Sequence, residues 1–227
     1  AKRNVGYVIQ HLGDRPLDVY SSSDAASFRD WLVKKHLSSS SIKRIFSTIR
    51  AVFTLTIQEE GLKCSNAFAK TFLPSEERPK RASISPEDIK RVQKICLEVG
   101  DERRLLVALI SDTGMRLSEA LGLVWDDIIL DHKYPHINLI PHPWRPLKTV
   151  GSKRCIPLVG AAHEAIKIMH RQRTTSFLFN SYTDETGCKG NSCSAALNKW
   201  LKQHVPDAVI HSFRHSFRDR LRNAGVQ

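Results

Sequence analysis

Between Leu73 and Lys90 the chain reads "LPSEERPKRASISPEDIK", a run of proline, serine and charge with too few apolar residues to enter a core. Such a stretch reads as an exposed connection, so it divides the chain into two units that each bury their own apolar residues. The connection ends where a new helix begins, with Ser85 as N-cap and Pro86 in the first helical position. We place the boundary near residues 77 to 83: a helical unit over 1–77, a linker over 78–85 and a second domain over 86–227.

The first unit holds two helical patterns, "DAASFRDWLVKKHL" and "SSSIKRIFSTIRAVFTLTIQEEG". In the second, Ile42, Ile45, Phe46, Ile49, Val52 and Phe53 keep a helical spacing while Lys43, Arg44 and Arg50 fall on other faces. The later part predicts helices at about 86–99 and 101–112, a short one across "RLSEALGL", and further ones at "AAHEAIKIMHRQR", "NSCSAALNKWLKQH" and the closing stretch. Between them "HINLI" and "KRCIPL" read as strands flanking "PHPWRPLKTVGS". The expected fold class is mainly α with a small antiparallel β-sheet. The four tryptophans, Trp31, Trp125, Trp144 and Trp200, read as packing residues.

Charge narrows the partner. The 227 residues carry 35 Lys and Arg against 23 Asp and Glu, a formal surplus of +12. Such an excess repels itself in the free protein and suits a polyanion, nucleic acid first of all. Neither a long uncharged apolar run nor a basic helix with an apolar anchor is present, so a membrane partner is not expected, and the start "AKRNVGYVIQ" lacks a signal-peptide pattern. Five cysteines, Cys64, Cys96, Cys155, Cys188 and Cys193, are scattered and never spaced C-x-x-C, which fits a reducing cytoplasm better than a disulfide frame. Cys188 and Cys193 near His204 lack the ligand spacing and the fourth ligand of a zinc site.

The ending "VIHSFRHSFRDRLRNAGVQ" is dense in cationic and protonatable groups. As a helix it sets Phe213, Phe217 and Leu221 on one side, toward the core, and Arg214, Arg218 and Arg222 on the other, with His211 near its start and Gly225 available for a left-handed cap. By itself this is equally a solvated basic face. Two other segments share its chemistry: "TGMRLSEALGL" with Arg116, and "PLKTVGSKRCIPL" with Lys148 and Lys153.

In this order the three segments resemble the tyrosine site-specific recombinases, the phage-type integrases. That family carries an arginine in T-G-x-R-x-x-E-x-x-x-L, a lysine on a β-hairpin and an H-x-x-R helix start. The stretches "LGDRPLDVYSSSDAASFRDWL" and "STIRAVFTLTIQEEGL" are also similar to the family's helical core-binding domain. The resemblance implies site-specific DNA recombination, integration or excision, in which strands are cut and rejoined through a 3′-phosphotyrosine. It assigns Arg116 and Arg214 to the non-bridging phosphate oxygens, where permanently charged directional donors act best. It gives Lys148, with Lys153 as the alternative, the protonation of the leaving 5′ oxygen, and His211 proton movement beside the phosphate. Glu119 would support the arginine helix, and His215 matches a histidine common after the second arginine. No metal or other cofactor is implied, since the arginines neutralise the charge. Duplex DNA clamped by both domains is the implied partner, with tetramers assembling on the recombination site.

The family's attacking tyrosine follows H-x-x-R, whereas Tyr7, Tyr20, Tyr134 and Tyr182 all precede His211. The expectation is therefore that the nucleophile lies beyond Gln227, that the catalytic domain is incomplete at its C-terminal end, and that this chain does not cleave. Tyr182, in a predicted loop, is the one internal tyrosine worth testing. The rival expectations are a non-catalytic duplex DNA-binding protein with the same fold, and a phosphate-metabolite enzyme with a helical core.

Overall fold

A computed structural model describes residues 1–74 and 83–226 and divides the chain into two compact units, Ala1–Pro79 and Lys80–Gln227. The expected connection lies, as far as residue 82, outside the described residues.

The first unit is built from α1 (Lys2–Leu12), α2 (Ser22–Lys34) and α3 (Ser39–Glu59). Alternation of apolar and charged residues along α3 places Ile42, Ile45, Phe46, Ile49 and Phe53 inside, against Phe28, Leu32 and Phe68. Helix α2 starts at a capping box in which the Asp24 N–H donates to Ser21 Oγ at 3.2 Å and the Ser21 N–H donates to Asp24 Oδ2 at 2.9 Å. The Ser21 N–H and the Ser21 hydroxyl, which donates to Asp24 Oδ2 at 2.7 Å, together with Arg15 hold the Asp24 carboxyl at about 2. Arg50 reaches off α3 to the carbonyls of Phe68 and Thr71, at 2.8 and 2.9 Å, and so fastens the segment that follows. The first helix was not anticipated: "KRNVGYVIQHL" buries only Val8, and so weak an apolar stripe carries little periodic signal.

The second unit surrounds a helix that is buried from its second turn onward. Helix α4 (Pro86–Val99) is followed by α5 (Glu102–Thr113), whose residues Leu105 to Ile110 are at most 1% exposed. A helix apolar on every side must be covered on every side. Here the cover comes from α4, α7 (Gly160–Arg171) and α9 (Ile210–Asn223). Between α5 and α7 lie the short α6 (Leu117–Leu121) and an antiparallel sheet in the order β1 (Ile128–Ile129), β2 (His136–Leu139), β3 (Arg154–Pro157). Strand β2 pairs with β3 in the register Ile137 to Ile156 and Leu139 to Arg154. A two-stranded hairpin, β4 (Thr183–Asp184) and β5 (Gly187–Cys188), leads into α8 (Gly190–Leu201). The mainly helical class with a small antiparallel sheet is the one the sequence implied. Strand β1 and the β4–β5 hairpin, each strand two residues long, are additions too short for a periodic pattern to reveal.

The C-terminal end of α5 is polar yet buried, and its bonds fix its neighbours. Asp112 accepts the Ala161 N–H at 2.9 Å, capping α7, and accepts Arg220 NH1 at 2.9 Å from α9. The helix then stops at Gly114 with φ of 60°. A Cβ at this glycine would sit 2.5 Å from Phe217 Cδ1, so both the backbone conformation and the close approach of α9 require glycine. On α9 the expected inner face is only partly right. Phe213 is fully buried and Phe217 half-buried, but Leu221 is 37% exposed, and the deeper positions are Ile210, Ser212 and Ser216. Gly225 takes φ of 77° just after the helix, as a left-handed cap residue should. Among the described residues no helix is long and apolar enough to cross a membrane.

Candidate active site

Arg116 stands at the start of α6, directly after the turn that Gly114 permits. Three residues on, Glu119 folds back: its Oε2 accepts the Arg116 N–H at 3.0 Å and its Oε1 accepts Arg116 NH1 at 2.5 Å. Glu119 is 3% exposed, and a carboxylate so placed needs its charge matched. The match comes also from β3, where Arg154 NH2 donates to Glu119 Oε2 at 2.8 Å. Burial pushes the Glu119 carboxyl up, but the bonds from Arg154 and Arg116 outweigh it and leave the group below its usual value.

Helix α9 brings the second set of groups. Its start is fixed by the Ile210 N–H donating to Asn198 Oδ1 at 2.8 Å and the Val209 N–H donating to Ser212 Oγ at 3.2 Å. From there His211, Arg214, His215 and Arg218 line a concavity of about 330 Å³, together with Arg154. Its lining holds three arginines, two histidines and, among the described residues, no carboxylate. Arg214 NH1 donates to the Gly114 carbonyl oxygen at 2.5 Å, which anchors the side chain to the turn before Arg116. Burial, then the positive charge of Arg116 and of Arg154 and Arg218, depress the Arg214 pKa, with Glu119 opposing. Crowded guanidiniums of this kind repel one another, and an oxyanion placed among them relieves the repulsion.

Residues 83–227 match the model of the phage integrase family. The chain belongs to that family. Among curated relatives it is similar to the transposase of transposon Tn916 from Enterococcus faecalis, with 23% identity over 95% of this chain and 60% of the relative. It is also similar to tyrosine recombinase XerC of Anoxybacillus flavithermus, with 22% identity over 93% of this chain and 72% of the relative. This integrase-family chain thus spans about 60% of the length of the transposon relatives it matches. Its fold is that of the Tn1549 transposon integrase solved with circular intermediate DNA, with a TM-score of 0.76, 21% identity and coverage of 100% of this chain and 80% of that one. The lambda integrase tetramer solved on a Holliday junction shares it too, with a TM-score of 0.73, 16% identity and coverage of 100% and 67%.

Against the integrase motifs, the geometry sorts the expected residues. His211 and Arg214 share the concavity, and Arg116 acts on Arg214 through its charge without lining that space. Lys148 and Lys153 both lie exposed on the β2–β3 connection, and neither lines the concavity. The turn between them is held by Thr149 Oγ1 and Ser152 Oγ at 3.0 Å. None of the four tyrosines lines it either. Tyr182 packs against the core of the second unit, with its carbonyl oxygen accepting the Lys189 N–H at 2.7 Å.

Two arginines of this integrase fold were missed in the sequence. Arg154 shares the inward face of β3 with the buried Ile156, while Cys155 and Pro157 face out. A two-residue alternation read through "RCIP" would have turned it inward. Arg145, 2% exposed, donates to the Glu119 carbonyl oxygen at 3.0 Å, to Asp127 Oδ2 at 3.1 Å and to the Ile140 carbonyl oxygen at 2.6 Å. Sitting between two prolines in "PHPWRPLK", it offers no sequence pattern that marks it as buried.

Proposed function

We propose that the chain is part of an enzyme that cuts and rejoins DNA at specific sites through a 3′-phosphotyrosine, and that the α6 and α9 arginines bind the phosphate being cut. The observation that carries this reading is the concavity itself: three arginines and two histidines face one space with, among the described residues, no lining carboxylate, and Arg214 within it feels the charge of Arg116, an arginine held by a buried glutamate. Arg116 and Arg214 hold the two non-bridging oxygens and stabilise the charge that grows on them as the attacking oxygen bonds to phosphorus. His211 moves the proton at that oxygen. As the bond from phosphorus to the 5′ oxygen breaks, Lys148 supplies the proton the leaving oxygen needs; Lys153 is the alternative. The lysine turn is exposed, so DNA binding would have to bring it to the phosphate. The family resemblance puts the attacking tyrosine after Arg214, and residues 215–227 hold none. In this reading residues 1–77 form the helical core-binding domain, 78–85 the linker and 86–227 the catalytic domain. The protein works in the cytoplasm, and duplex DNA is the partner, on which four copies assemble. The neighbours solved on circular intermediate DNA and as a tetramer on a Holliday junction support the DNA partner and the assembly.

The test uses nicked duplexes carrying the cognate site, with covalent adducts resolved by denaturing electrophoresis. A form extended past Gln227 should give an adduct on a tyrosine after Arg214, and residues 1–227 should bind the duplex without one. In the extended form, Arg116→Ala and Arg214→Ala should each lower cleavage on the order of 10²-fold or more. An adduct on Tyr182 would overturn the assignment of the nucleophile. An extended form that binds the verified site and stays inert would leave a non-catalytic DNA-binding protein as the better account.

A further inference from the structure

Glu119 is held from two directions, and the arginine from β3 is the one that the integrase chemistry above does not use. Arg154 lines the concavity, but both of its terminal nitrogens are engaged: NH2 on Glu119 Oε2 at 2.8 Å, and NH1 on the Ser152 carbonyl oxygen at 2.8 Å. Ser152 belongs to the turn between Lys148 and Lys153. A chain of directional bonds therefore runs from the Arg116 guanidinium through the Glu119 carboxylate and Arg154 to the backbone of the lysine turn.

The arrangement has an electrostatic consequence for Arg116. A carboxylate and a guanidinium left alone pair in a bidentate fork, which uses two donors of the arginine. With Arg154 occupying Oε2, the Arg116 side chain meets Glu119 through NH1 alone. The remaining donors of Arg116 stay available to another oxyanion. Arg154 also offsets the charge of Glu119, which would otherwise oppose an anion beside Arg116. Hydrogen bonding from Arg154 contributes more than any other bond to keeping that carboxyl ionised.

We propose that Arg154 is a positioning residue of the phosphate site: by occupying and neutralising half of the Glu119 carboxylate, it keeps Arg116 free to hold a phosphate oxygen and ties the lysine turn to the arginine helix. The inference rests on the phosphate-binding reading given above. It separates Arg154 from Arg116 and Arg214, which touch the phosphate.

The probe is inorganic phosphate, titrated into residues 1–227 while the guanidinium and imidazole resonances of the site are followed by NMR. In the wild-type protein, phosphate should move the signals of Arg116, Arg214 and His211 and leave the side-chain signal of Arg154 nearly still. A shift of Arg154 as large as that of Arg116 would make it a direct ligand and overturn the proposal without any variant. Arg154→Gln, which removes the charge but keeps an amide donor, should weaken phosphate binding about 10-fold, the scale of one hydrogen bond to a charged group. Arg154→Lys should recover most of that loss. Adding Glu119→Gln to Arg154→Gln should also recover part of it, because the charge that Arg154 offset is then gone. A purely structural arginine would show no such recovery. Wild-type affinity in Arg154→Gln, or a double variant no better than the single one, would refute the role. If phosphate moves no resonance of the wild-type site, the phosphate-binding reading fails and this inference with it.

Discussion

The guanidinium of Arg145 donates to the main-chain oxygen of Glu119 at 3.0 Å, while the side chain of the same glutamate receives Arg116 and Arg154. One residue of α6 thus anchors the arginines that flank the lysine turn in sequence, Arg145 before it and Arg154 after it. Arg145 also pairs with Asp127, itself 1% exposed, at 3.1 Å. Replacing Arg145 by methionine removes the charge that Asp127 was buried against. The expected loss is about 3–5 kcal/mol of unfolding free energy, measured by urea denaturation, because the stranded carboxylate and not the missing contact sets the cost. Unchanged stability would show that His142, which lies 2.9 Å from the other oxygen of Asp127, suffices alone.

Gly114→Ala brings two penalties to one atom. The alanine would have to adopt φ near 60°, and its Cβ would meet the Phe217 ring. A destabilisation of about 1–3 kcal/mol is expected from the overpacking, and α9 must shift to relieve it. Phosphate binding should fall with stability, since Arg214 is bonded to the carbonyl oxygen of residue 114. Calorimetry and the phosphate titration on one sample would tell whether the two losses travel together; retained affinity in a destabilised variant would show that Arg214 does not depend on that turn.

Acid should weaken the second unit through Glu119. The folded-state pKa lies below the ordinary 4.5, so the stabilisation is complete above that value and is lost as pH falls through the folded one. Glu119→Gln should flatten the dependence of the urea midpoint on pH below about 4.5, where the unfolded chain takes up the proton first. Equal slopes in wild type and variant would mean that other carboxylates account for the acid response.

Binding to duplex DNA should depend steeply on salt. If ~6 phosphates are neutralised, affinity falls by orders of magnitude between about 50 and 200 mM salt, because condensed counterions are released on binding. Fluorescence anisotropy on one duplex across that range gives the slope, and a flat response would argue against a phosphate-tracking surface.

The two lysines of the turn can be told apart chemically. In the extended protein, a duplex whose bridging 5′ oxygen is replaced by sulfur needs no proton on its leaving group. Lys148→Ala should therefore cleave that duplex far better than the ordinary one. Rescue of Lys153→Ala instead would transfer the role.

How much of this could be read beforehand depends on the reach of the interactions. Helices such as α3 and α4 repeat an apolar stripe over many turns and cap themselves with Ser38 and Ser85, so their limits are local information. The motif residues Arg116, His211 and Arg214 were legible because a family pattern names them. Arg154 and Arg145 were not, since their meaning lies in partners far along the chain: Glu119 is 35 residues from Arg154 and 26 from Arg145. The exposure of Leu221 also escaped, because a stripe of apolar residues gives the direction a helix faces but not the length over which its neighbour covers it.

The interior side of α9 is set with hydroxyls. Ser216 Oγ donates to the Ser212 carbonyl oxygen at 3.0 Å and accepts the Ile84 N–H at 2.8 Å, and Ser212 Oγ accepts the Val209 N–H at 3.2 Å. Greasy contacts tolerate sliding and rolling, because burial rewards area without regard to angle. Hydrogen bonds do not, since they weaken steeply once misaligned. The helix is therefore indexed like a toothed shaft: a slip of one residue along its axis, or a roll that would swing Arg214 off its target, strands a buried amide at Ile84 before it moves the guanidinium far.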